Sequence, residues 1–381
     1  MAWRYHAQRA VTNTWLNRDC FMLGTNLEWS LSGPGALSCN LDAVAAQEIA
    51  GDGILLFDEW STLIYAEEDD IIRWGGIVDS STDLGNGSRA ITARSFSGYP
   101  EGRVYLDELR YYETDGFDLI RMLWTKLQED PLANLDVQLS QNKSGITIGS
   151  ANPGDRPIQQ PGETLEAYEA RVVAWQSAIN EPYELAWWNT PDYGNEIDNL
   201  IVQTGGAYTE RHAWTGENKD AVTHNIDLHF PVAGNRRDDL RFVEGENVFV
   251  PPLPTRDGLL YGNYVIALGA GEDRHTLREE VGRQDGRLRR DIVAPSKGTY
   301  SPSLLQRMAQ DTLDDAQQIM KYDTIEVLNH PNAPIGSWQL GDDLFLQTHS
   351  GFEKINDWVR LVGWSMAPDN PDRATLKTVR I

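Results

Sequence analysis

Short runs of apolar residues, interrupted by turn-forming residues, dominate the first third of the chain and predict β-strands. The runs Phe21–Leu23, Leu27–Leu31 and Ile54–Phe57 are bounded by glycine, proline, asparagine or aspartate. Along Ile71–Val78, apolar residues occupy both alternating faces, as in a strand that is covered on two sides. Either another subunit or another part of the same chain would provide the second cover.

After Thr114 the apolar residues recur three and four positions apart in two stretches, which predicts two amphipathic helices. The first stretch is Phe117, Ile120, Trp124 and Leu127, and the second is Leu165, Tyr168, Val172, Trp175 and Ile179. The intervening and following patterns predict strands at Val137–Leu139, Ile146–Ile148 and Glu184–Trp188, and a short helix at Asp192–Leu200. This part of the chain is therefore predicted to be an α+β insert.

Strands are predicted again from about Gly205, in the runs Tyr208–Trp214, Val222–Phe230 and Leu240–Val250. A further helix is expected after Ser301, a suitable N-cap, and should continue to about Lys321. The remaining residues, up to Ile381, are again predicted to be strands.

A faint internal repeat links the two ends of the chain. The stretch Asp70–Tyr99 contains two β-rich runs joined by a loop with Asn86-Gly87, a dipeptide that favours a hairpin. Trp358–Ile381 has the same plan, and Arg73 can be aligned with Arg360. Further matches are Arg89-Ala90 with Arg373-Ala374, Gly51-Asp52 with Gly341-Asp342, and Ile54-Leu55-Leu56 with Leu344-Phe345-Leu346. The repeat predicts one β-domain near each end of the chain.

Length, composition and charge narrow the class of protein. At 381 residues the chain is expected to form two to four domains. It has no apolar run long enough for a membrane span and no signal-peptide core, which indicates synthesis in a cytoplasm. The net charge of −24 argues against a protein that binds nucleic acid tightly, because phosphate binding needs clustered lysine and arginine. An acidic surface could let DNA pass without sticking, although solubility alone also explains it.

No residue pattern amounts to a catalytic, cofactor or metal site. Val265–Gly271 is an apolar strand that runs into Gly-x-Gly, but Arg274 stands where a dinucleotide site needs its third glycine, so we interpret the segment as a turn after a strand. His224 and His229 should point to opposite faces of one strand, and Cys20 and Cys39 form no metal pattern. The acidic run Glu67–Asp70 lacks the spacing of a calcium loop and is predicted to be a solvated turn. We expect no enzymatic activity, although the carboxylate pair of a glycosidase leaves no sequence signature.

Two compositional features point to contacts with other molecules. The acidic chain has one basic concentration, formed by Arg274, Arg278, Arg283, Arg287, Arg289 and Arg290. Interleaved carboxylates favour local ion pairs for these arginines, and docking to a partner is the alternative. The 13 tryptophans, among them Trp187 and Trp188, could stack on sugars or serve in packing.

Several segments together resemble one protein family. Ile72–Val78 with Ala93–Tyr99 resembles the first barrel of the baseplate-hub, or tail-tip hub, proteins of tailed bacteriophages, often called minor tail proteins. His224–Pro231 with Leu240–Val248 resembles the start of that family's second barrel, and Asp357–Gly363 resembles its closing hairpin. The resemblance implies an α+β, mainly β fold. The implied fold has two tail-tube-like β-barrels, an α+β insert between them and a small helix-bearing domain within the second barrel.

The resemblance also implies a structural role at the tail tip of a long-tailed virion, assembled in the host cytoplasm. Hub proteins of this kind are homotrimers whose six barrels match the hexameric tail tube and present threefold symmetry to a central fibre. The implied neighbours are a distal tail protein or tube ring, the fibre or other minor tail proteins, and the tape measure protein. Genome DNA would pass through the channel without sequence-specific binding.

The predicted domains are barrel I (1–112), the insert (113–204), barrel II (205–255 and 323–381) and the small domain (256–322). Because the chain ends at Ile381, just after the second hairpin, we expect cell-wall hydrolysis to reside in other tail proteins. Two alternatives remain open: a distal tail protein, which forms a hexameric ring with one barrel per chain, and a carbohydrate-binding or carbohydrate-hydrolysing tail protein.

Overall fold

The architecture was analysed in a computed structural model of the chain. The structure describes residues 3–149, 154–179, 182–252, 255–256, 258–259, 261–271, 273–296, 299, 302–317, 320–321, 324–349 and 354–381. It has the predicted class, α+β and mainly β, because strands form both ends of the described chain and its four α-helices lie between residues 116 and 317.

Seven strands near the N-terminus form the first module. They are β1 (Trp3–Arg9), β2 (Trp15–Asn17), β3 (Leu23–Ser30), β4 (Ala36–Leu41), β5 (Thr62–Glu68), β6 (Ile71–Asp83) and β7 (Arg89–Ser95). Their order in the sheet is β3-β4-β7-β6-β5-β1-β2, and every pair is antiparallel. The sheet encloses a core that includes Leu37, Trp74 and Val78.

The β6–β7 turn forms where Asn86-Gly87 predicts it. Gly85 and Gly87 adopt φ values of 80° and 84°, which glycine tolerates without strain. Asp83 Oδ1 accepts a hydrogen bond from the backbone N–H of Gly85, and Asn86 Oδ1 accepts one from that of Ser88. These local bonds explain why the sequence signal for this hairpin is strong.

The predicted strand at Ile54–Phe57 is wrong. This segment consists of turns and bends, with one isolated bridge between Ile49 and Leu55. Leu56 and Phe57 are buried in the core of the first module, so the apolar run fills this core from a loop. A short apolar run reports burial and does not by itself report backbone conformation.

The middle of the chain forms the insert. Its elements are β8 (Glu108–Tyr111), β9 (Thr114–Asp115), α1 (Gly116–Gln128), β10 (Val137–Leu139), β11 (Thr147–Ile148), α2 (Leu165–Ile179), β12 (Tyr183–Ala186), α3 (Tyr193–Thr204), β13 (Ala207–Thr215) and β14 (Ala221–His229). The side chains of Asp115 and Asp192 cap the N-termini of α1 and α3, and Gly205 ends α3 with a φ of 68°.

The strands β13 and β14 belong with the insert. β14 pairs with β13 and, in parallel, with β10, and Tyr208, Ile226 and Leu228 pack in the same core as α1 and α3. This grouping corrects the predicted start of barrel II at residue 205, and the other domain limits remain predictions.

Strand β6 is covered on both faces, as its sequence predicts. Trp74 and Val78 point into the core of the first module, whereas Ile72 and Ile77 pack in the core of the insert. The second cover is therefore another part of the same chain.

The rest of the chain forms the second module with a small domain inside it. The strands of the second module are β15 (Arg236–Val243), β16 (Val248–Val250), β22 (Thr324–Leu328), β23 (Asp343–Thr348), β24 (Ile355–Met366) and β25 (Arg373–Arg380). The small domain contains β17 (Thr255–Arg256), β18 (Tyr264–Leu268), β19 (Arg278–Gly282), β20 (Asp291–Pro295), α4 (Pro302–Gln317) and β21 (Met320–Lys321). α4 begins at Pro302 as predicted, and the N-cap Ser301 lies outside the described residues.

The structure confirms the repeat and corrects its alignment. In the first hairpin Ile77 pairs with Arg94, and in the second Leu361 pairs with Thr378. Each strand of the second hairpin therefore lies 284 residues after its counterpart in the first. Each of the ladders β6–β7 and β24–β25 also contains a bulge, and when the hairpins are aligned the two bulges lie one residue apart. Arg360 is therefore the equivalent of Gly76 and not of Arg73. The counterpart of β23 is β5, and not the Ile54 segment, because both pair with the first strand of their hairpin.

We predict that Gly76→Ala destabilises the first module. A Cβ atom at this position would collide with the carbonyl oxygen of Arg94 and the indole ring of Trp74. Overpacking of this kind costs about 1–3 kcal/mol, so the thermal unfolding midpoint should fall by several degrees. The control is Gly51→Ala, where no atom lies within 4 Å of the new Cβ. Equal midpoints for the two variants would contradict the packing described here.

Candidate assembly surfaces

The two modules are joined edge to edge by strand pairing. Gly363–Met366 of β24 pairs antiparallel with Leu27–Ser30 of β3. The backbone N–H of Leu31 continues the contact by donating to the carbonyl oxygen of Val362 at 2.8 Å. One sheet of 13 strands therefore runs through both modules.

Side chains reinforce this junction on both sides of the paired strands. The rings of Trp29 and Trp364 stack with centroids 4.1 Å apart and planes 11° from parallel. Lys377 Nζ forms an ion pair with Glu28 Oε1 at 2.5 Å, and the indole N–H of Trp29 donates to the carbonyl oxygen of Arg73 at 2.9 Å. Backbone, aromatic and charged contacts together define the relative position of the modules.

A buried carboxylate ties β1 and β5 to the insert. Glu67 is only 2% exposed, and its carboxylate accepts hydrogen bonds from Arg4 at 2.5 Å and from the indole N–H of Trp214 at 2.8 Å. His6 Nε2 lies 3.2 Å from the same carboxylate. The prediction of a solvated acidic turn is therefore wrong for Glu67, whereas Asp70 is exposed and pairs with Arg4 and Lys219.

A second buried network lies between β5 and the strands β13 and β14. Tyr65 Oη donates to Gln8 Oε1 at 2.9 Å and lies 3.3 Å from His224 Nε2. His224 Nδ1 lies 3.3 Å from His212 Nδ1. Burial lowers the pKa of His224 to about 4 and lowers that of His212 well below its usual value. Both imidazoles are therefore neutral at pH 7.

The network continues to Glu210, whose Oε2 lies 3.6 Å from His212 Nε2. Its carboxylate accepts hydrogen bonds from Ser95 Oγ at 2.6 Å and from the backbone N–H groups of Phe96 and Ser97 at 3.1 and 2.9 Å. Burial raises the pKa of this carboxyl. This cluster was not predicted from the sequence. Glu210, His212 and His224 lie on the adjacent strands β13 and β14, where His212 and His224 are cross-strand partners, whereas Tyr65 lies on β5, distant in the chain.

The arginines of the small domain make local contacts. Arg283 pairs with Asp314 at 2.9 Å, Arg287 with Asp285 at 2.5 Å and Arg289 with Asp291 at 2.7 Å, and Arg278 pairs with Glu280. The guanidinium of Arg289 also lies 3.6 Å from the ring centre of Tyr264. Arg290 donates its backbone N–H to Asn263, and Arg274 lies in the turn Asp273–His275. These contacts support the local-pairing interpretation, and docking to a partner remains a prediction.

The other candidate residues have simple environments. Trp187 and Trp188 are 53% and 54% exposed and lie edge to face, with centroids 5.7 Å apart. Gly269–Gly271 bends away from the end of β18, as expected for the predicted turn after a strand. Within the described part of the chain, no three histidine, cysteine, aspartate or glutamate side chains are grouped to hold a metal ion. None of the described helices has the length and apolar character to span a membrane.

Comparison with solved structures shows which fold this arrangement belongs to. The 43 kDa tail protein of prophage MuSo2 from Shewanella oneidensis aligns with a TM-score of 0.61 at 9% identity, over 99% of this chain and 98% of that chain. A tail protein from Neisseria meningitidis MC58 aligns at 0.54 and 13% identity over 100% and 97%. Prophage tail protein gp18 from Listeria monocytogenes EGD-e aligns at 0.55 and 10% identity over 98% and 94%. No protein-family profile and no curated protein matches the sequence.

The likeness spans nearly the full length of all three tail proteins. The chain therefore has the fold of phage tail proteins, and the resemblance stated from the sequence is confirmed for the fold. Of the residues that suggested it, Ile72–Val78 lies in β6, and Ala93–Tyr99 covers the end of β7 and the 3₁₀ turn Phe96–Gly98 that follows.

We predict that acid weakens the folded protein through His212 and His224. Their pKa values in the folded state lie below the unfolded value of about 6.5, so the unfolded chain binds more protons and stability falls as pH drops below 6.5. For His224 alone the loss reaches about 3 kcal/mol at pH 4. The raised pKa of Glu210 acts in the opposite sense at the lower end of this range.

Denaturant unfolding at pH 7 and pH 4.5 measures this loss. His224→Gln should lose less stability between the two pH values than the wild type, whereas His349→Gln, at an exposed position, should lose the same as the wild type. Identical pH dependence in the wild type and His224→Gln would contradict this assignment.

Proposed function

We propose that this chain is a structural virion protein, the trimeric hub at the baseplate or tail tip of a long-tailed bacteriophage. One observation carries the proposal. A single chain contains two modules with equivalent hairpins, and the modules are joined side by side in one sheet. The fold shared with phage tail proteins supports the same conclusion.

The junction between the modules determines how such a protein assembles. β24 of the second module contacts β3 of the first, so the joined edges come from different elements. A head-to-tail contact of this kind repeats around an axis and closes into a ring when the rotation fits. Three chains then supply six modules, which match a sixfold tail tube on one face and offer threefold symmetry to a central fibre on the other.

The proposed neighbours follow from these two faces. A distal tail protein or tube ring would contact the sixfold face, and the fibre or other minor tail proteins would contact the threefold face, with the tape measure protein inside the tube. The arginines Arg274, Arg278, Arg283, Arg287, Arg289 and Arg290 are the proposed docking groups of the small domain. A hexameric distal tail protein is disfavoured, because a protein of that kind should have one module per chain and this chain has two.

The charge of the chain suits a DNA channel. A net charge of −24 gives an acidic protein that repels phosphates, so the genome can pass at ejection without being held. The mechanism is then one of assembly and contains no bond chemistry.

Native mass spectrometry tests the trimer. A hub should give a dominant species of three times the 42.8 kDa chain at micromolar concentration and neutral pH. The same sample in about 1 M salt controls for loose electrostatic clusters, because salt screens surface charges. A stable monomer, or a hexamer, would contradict the proposal.

A carbohydrate-binding tail protein is the second candidate, favoured by the exposed pair Trp187 and Trp188. Sugars bind by stacking on exposed aromatic rings, so Trp187→Ala should abolish glycan-array binding if this function exists. The matched control is Trp60→Ala, at a ring that is 49% exposed in the first module. An array without signal for the wild-type protein would exclude this candidate.

A further inference from the structure

The hairpin of β13 and β14 is held at its base and in its outer half by contacts of different kinds. At the base, Tyr208, Ile226 and Leu228 pack in the apolar core of the insert. The outer half, residues 210–224, lies against the first module and meets it through polar side chains. We call this outer half the strap.

The contacts at the tip of the strap are exposed. The indole N–H of Trp15 donates to the carbonyl oxygen of Asp220 at 2.7 Å. Arg18 donates to the carbonyl oxygen of Lys219 at 2.9 Å, and Lys219 Nζ pairs with Asp70 at 2.7 Å. Water replaces exposed contacts of this kind at little cost in free energy. The buried polar contacts therefore decide whether the strap stays on the first module.

The donors available fix the directions of the buried hydrogen bonds. Gln8 Nε2 donates to the carbonyl oxygen of Asn13 at 2.9 Å, so Gln8 Oε1 is the acceptor for Tyr65 Oη. The hydroxyl hydrogen of Tyr65 is then used, and its oxygen must accept from Nε2–H of His224. Nδ1 of neutral His224 is therefore an acceptor, which takes the Nδ1–H of His212.

This order of bonds leaves a lone pair on Nε2 of neutral His212, facing Glu210 Oε2 at 3.6 Å. The carboxylate of Glu210 already accepts three hydrogen bonds, from Ser95 Oγ and from the backbone N–H groups of Phe96 and Ser97. Two acceptors that face each other repel, and their separation exceeds hydrogen-bond length. His212 and Glu210 can therefore bind one proton between them.

A proton can reach this pair without unfolding of the chain. A hollow of about 20 Å³, lined by Arg73, Glu210 and His212 among others, has room for about one water molecule. Arg73 and Glu210 also line a much wider cleft of about 750 Å³. Water in the cleft is therefore within one molecule of the His212 ring.

We infer that the strap is released from the first module by acid, through two protons with opposite effects. The first proton binds between His212 Nε2 and Glu210 Oε2, where it completes a hydrogen bond and holds the strap in place. The second binds to His224 Nδ1 and converts this acceptor into a donor. Two N–H groups then face each other at 3.3 Å, so the strap leaves β5 while its base stays in the core of the insert.

The charges around the strap single out His224 as the release point. A proton on His6 is balanced by the Glu67 carboxylate at 3.2 Å, and one on His212 is balanced by Glu210. Among the described residues, the hydrogen-bond partners of His224 are Tyr65 and His212, and neither is a carboxylate. The neighbouring strand β10 contains no ionisable residue. The ionisable groups facing the strap from the first module are Arg4, His6, Arg18, Glu28, Tyr65, Glu67, Asp70 and Arg73.

Hydrogen–deuterium exchange at pH 7 and pH 4.5, corrected for the intrinsic pH dependence of amide exchange, tests the release. Burial lowers the pKa of His224 to about 4, so a released His224 binds its proton more readily and strap amides should exchange about tenfold faster or more at pH 4.5. Amides of α1 should not change. His224→Gln should remove the difference between the two pH values. His229→Gln is the matched control, because His229 lies on the other face of β14, bonded to Thr209, and should leave the acid release intact.

The variant may pack less well, and the pH comparison allows for this. Faster exchange in His224→Gln at both pH values, without a difference between them, supports the proposal, because the proton coupling is then lost. Equal strap exchange of the wild type at the two pH values, or a uniform increase along the whole chain, would overturn it. A strap that still opens in acid in His224→Gln would overturn it as well.

Glu210→Gln tests the first proton. Its amide can donate to His212 Nε2 while its oxygen accepts from the backbone N–H of Ser97, so it imitates the proton-bound pair. The thermal unfolding midpoint at pH 8 should therefore equal or exceed that of the wild type. Glu67→Gln is the matched control and should lower the midpoint, because Glu67 is bonded to the cationic Arg4. A midpoint of Glu210→Gln below the wild-type value would contradict the shared proton.

Discussion

The pairing of Gly363–Met366 with Leu27–Ser30 connects the last long strand of the chain to one of the first. Backbone hydrogen bonds are directional, so this contact defines both the distance and the angle between the two modules. It also covers two sheet edges that would otherwise be open to aggregation. The stacked Trp29 and Trp364 add apolar contact at the same place. The geometry of any ring built from this chain depends on this junction.

The first module is rigidly connected to the insert because β5 and β6 contribute to two cores at once. Trp74 faces the barrel interior, whereas Tyr65 and Ile77 face the helices and strands of the insert. Buried polar groups, Glu67 on one side and the Tyr65–His224–His212 network on the other, have hydrogen-bond partners in both parts. Because a buried polar group without its partner is costly, these networks favour one arrangement of the two parts.

The sequence predicted the elements that depend on local patterns. The stripe containing Phe117 and Leu127 became α1, and the Asn86-Gly87 turn formed where expected. The errors concern long-range pairing. The Ile54 run fills a core without forming a strand, and β13 and β14 join the insert through β10. The contact of the histidine network with Tyr65 was missed for the same reason, since nothing near His212 in the sequence indicates Tyr65, whereas His224 faces His212 across the β13–β14 hairpin.

The proposed function requires that the two equivalent modules of each chain share one ring with those of two other copies. Electron micrographs of the purified oligomer, averaged without imposed symmetry, test it most directly. We expect a ring with six lobes around a channel, in which alternate lobes differ because only every second module carries the small domain. A particle with three lobes, or with the two modules of a chain at different distances from the axis, would contradict it.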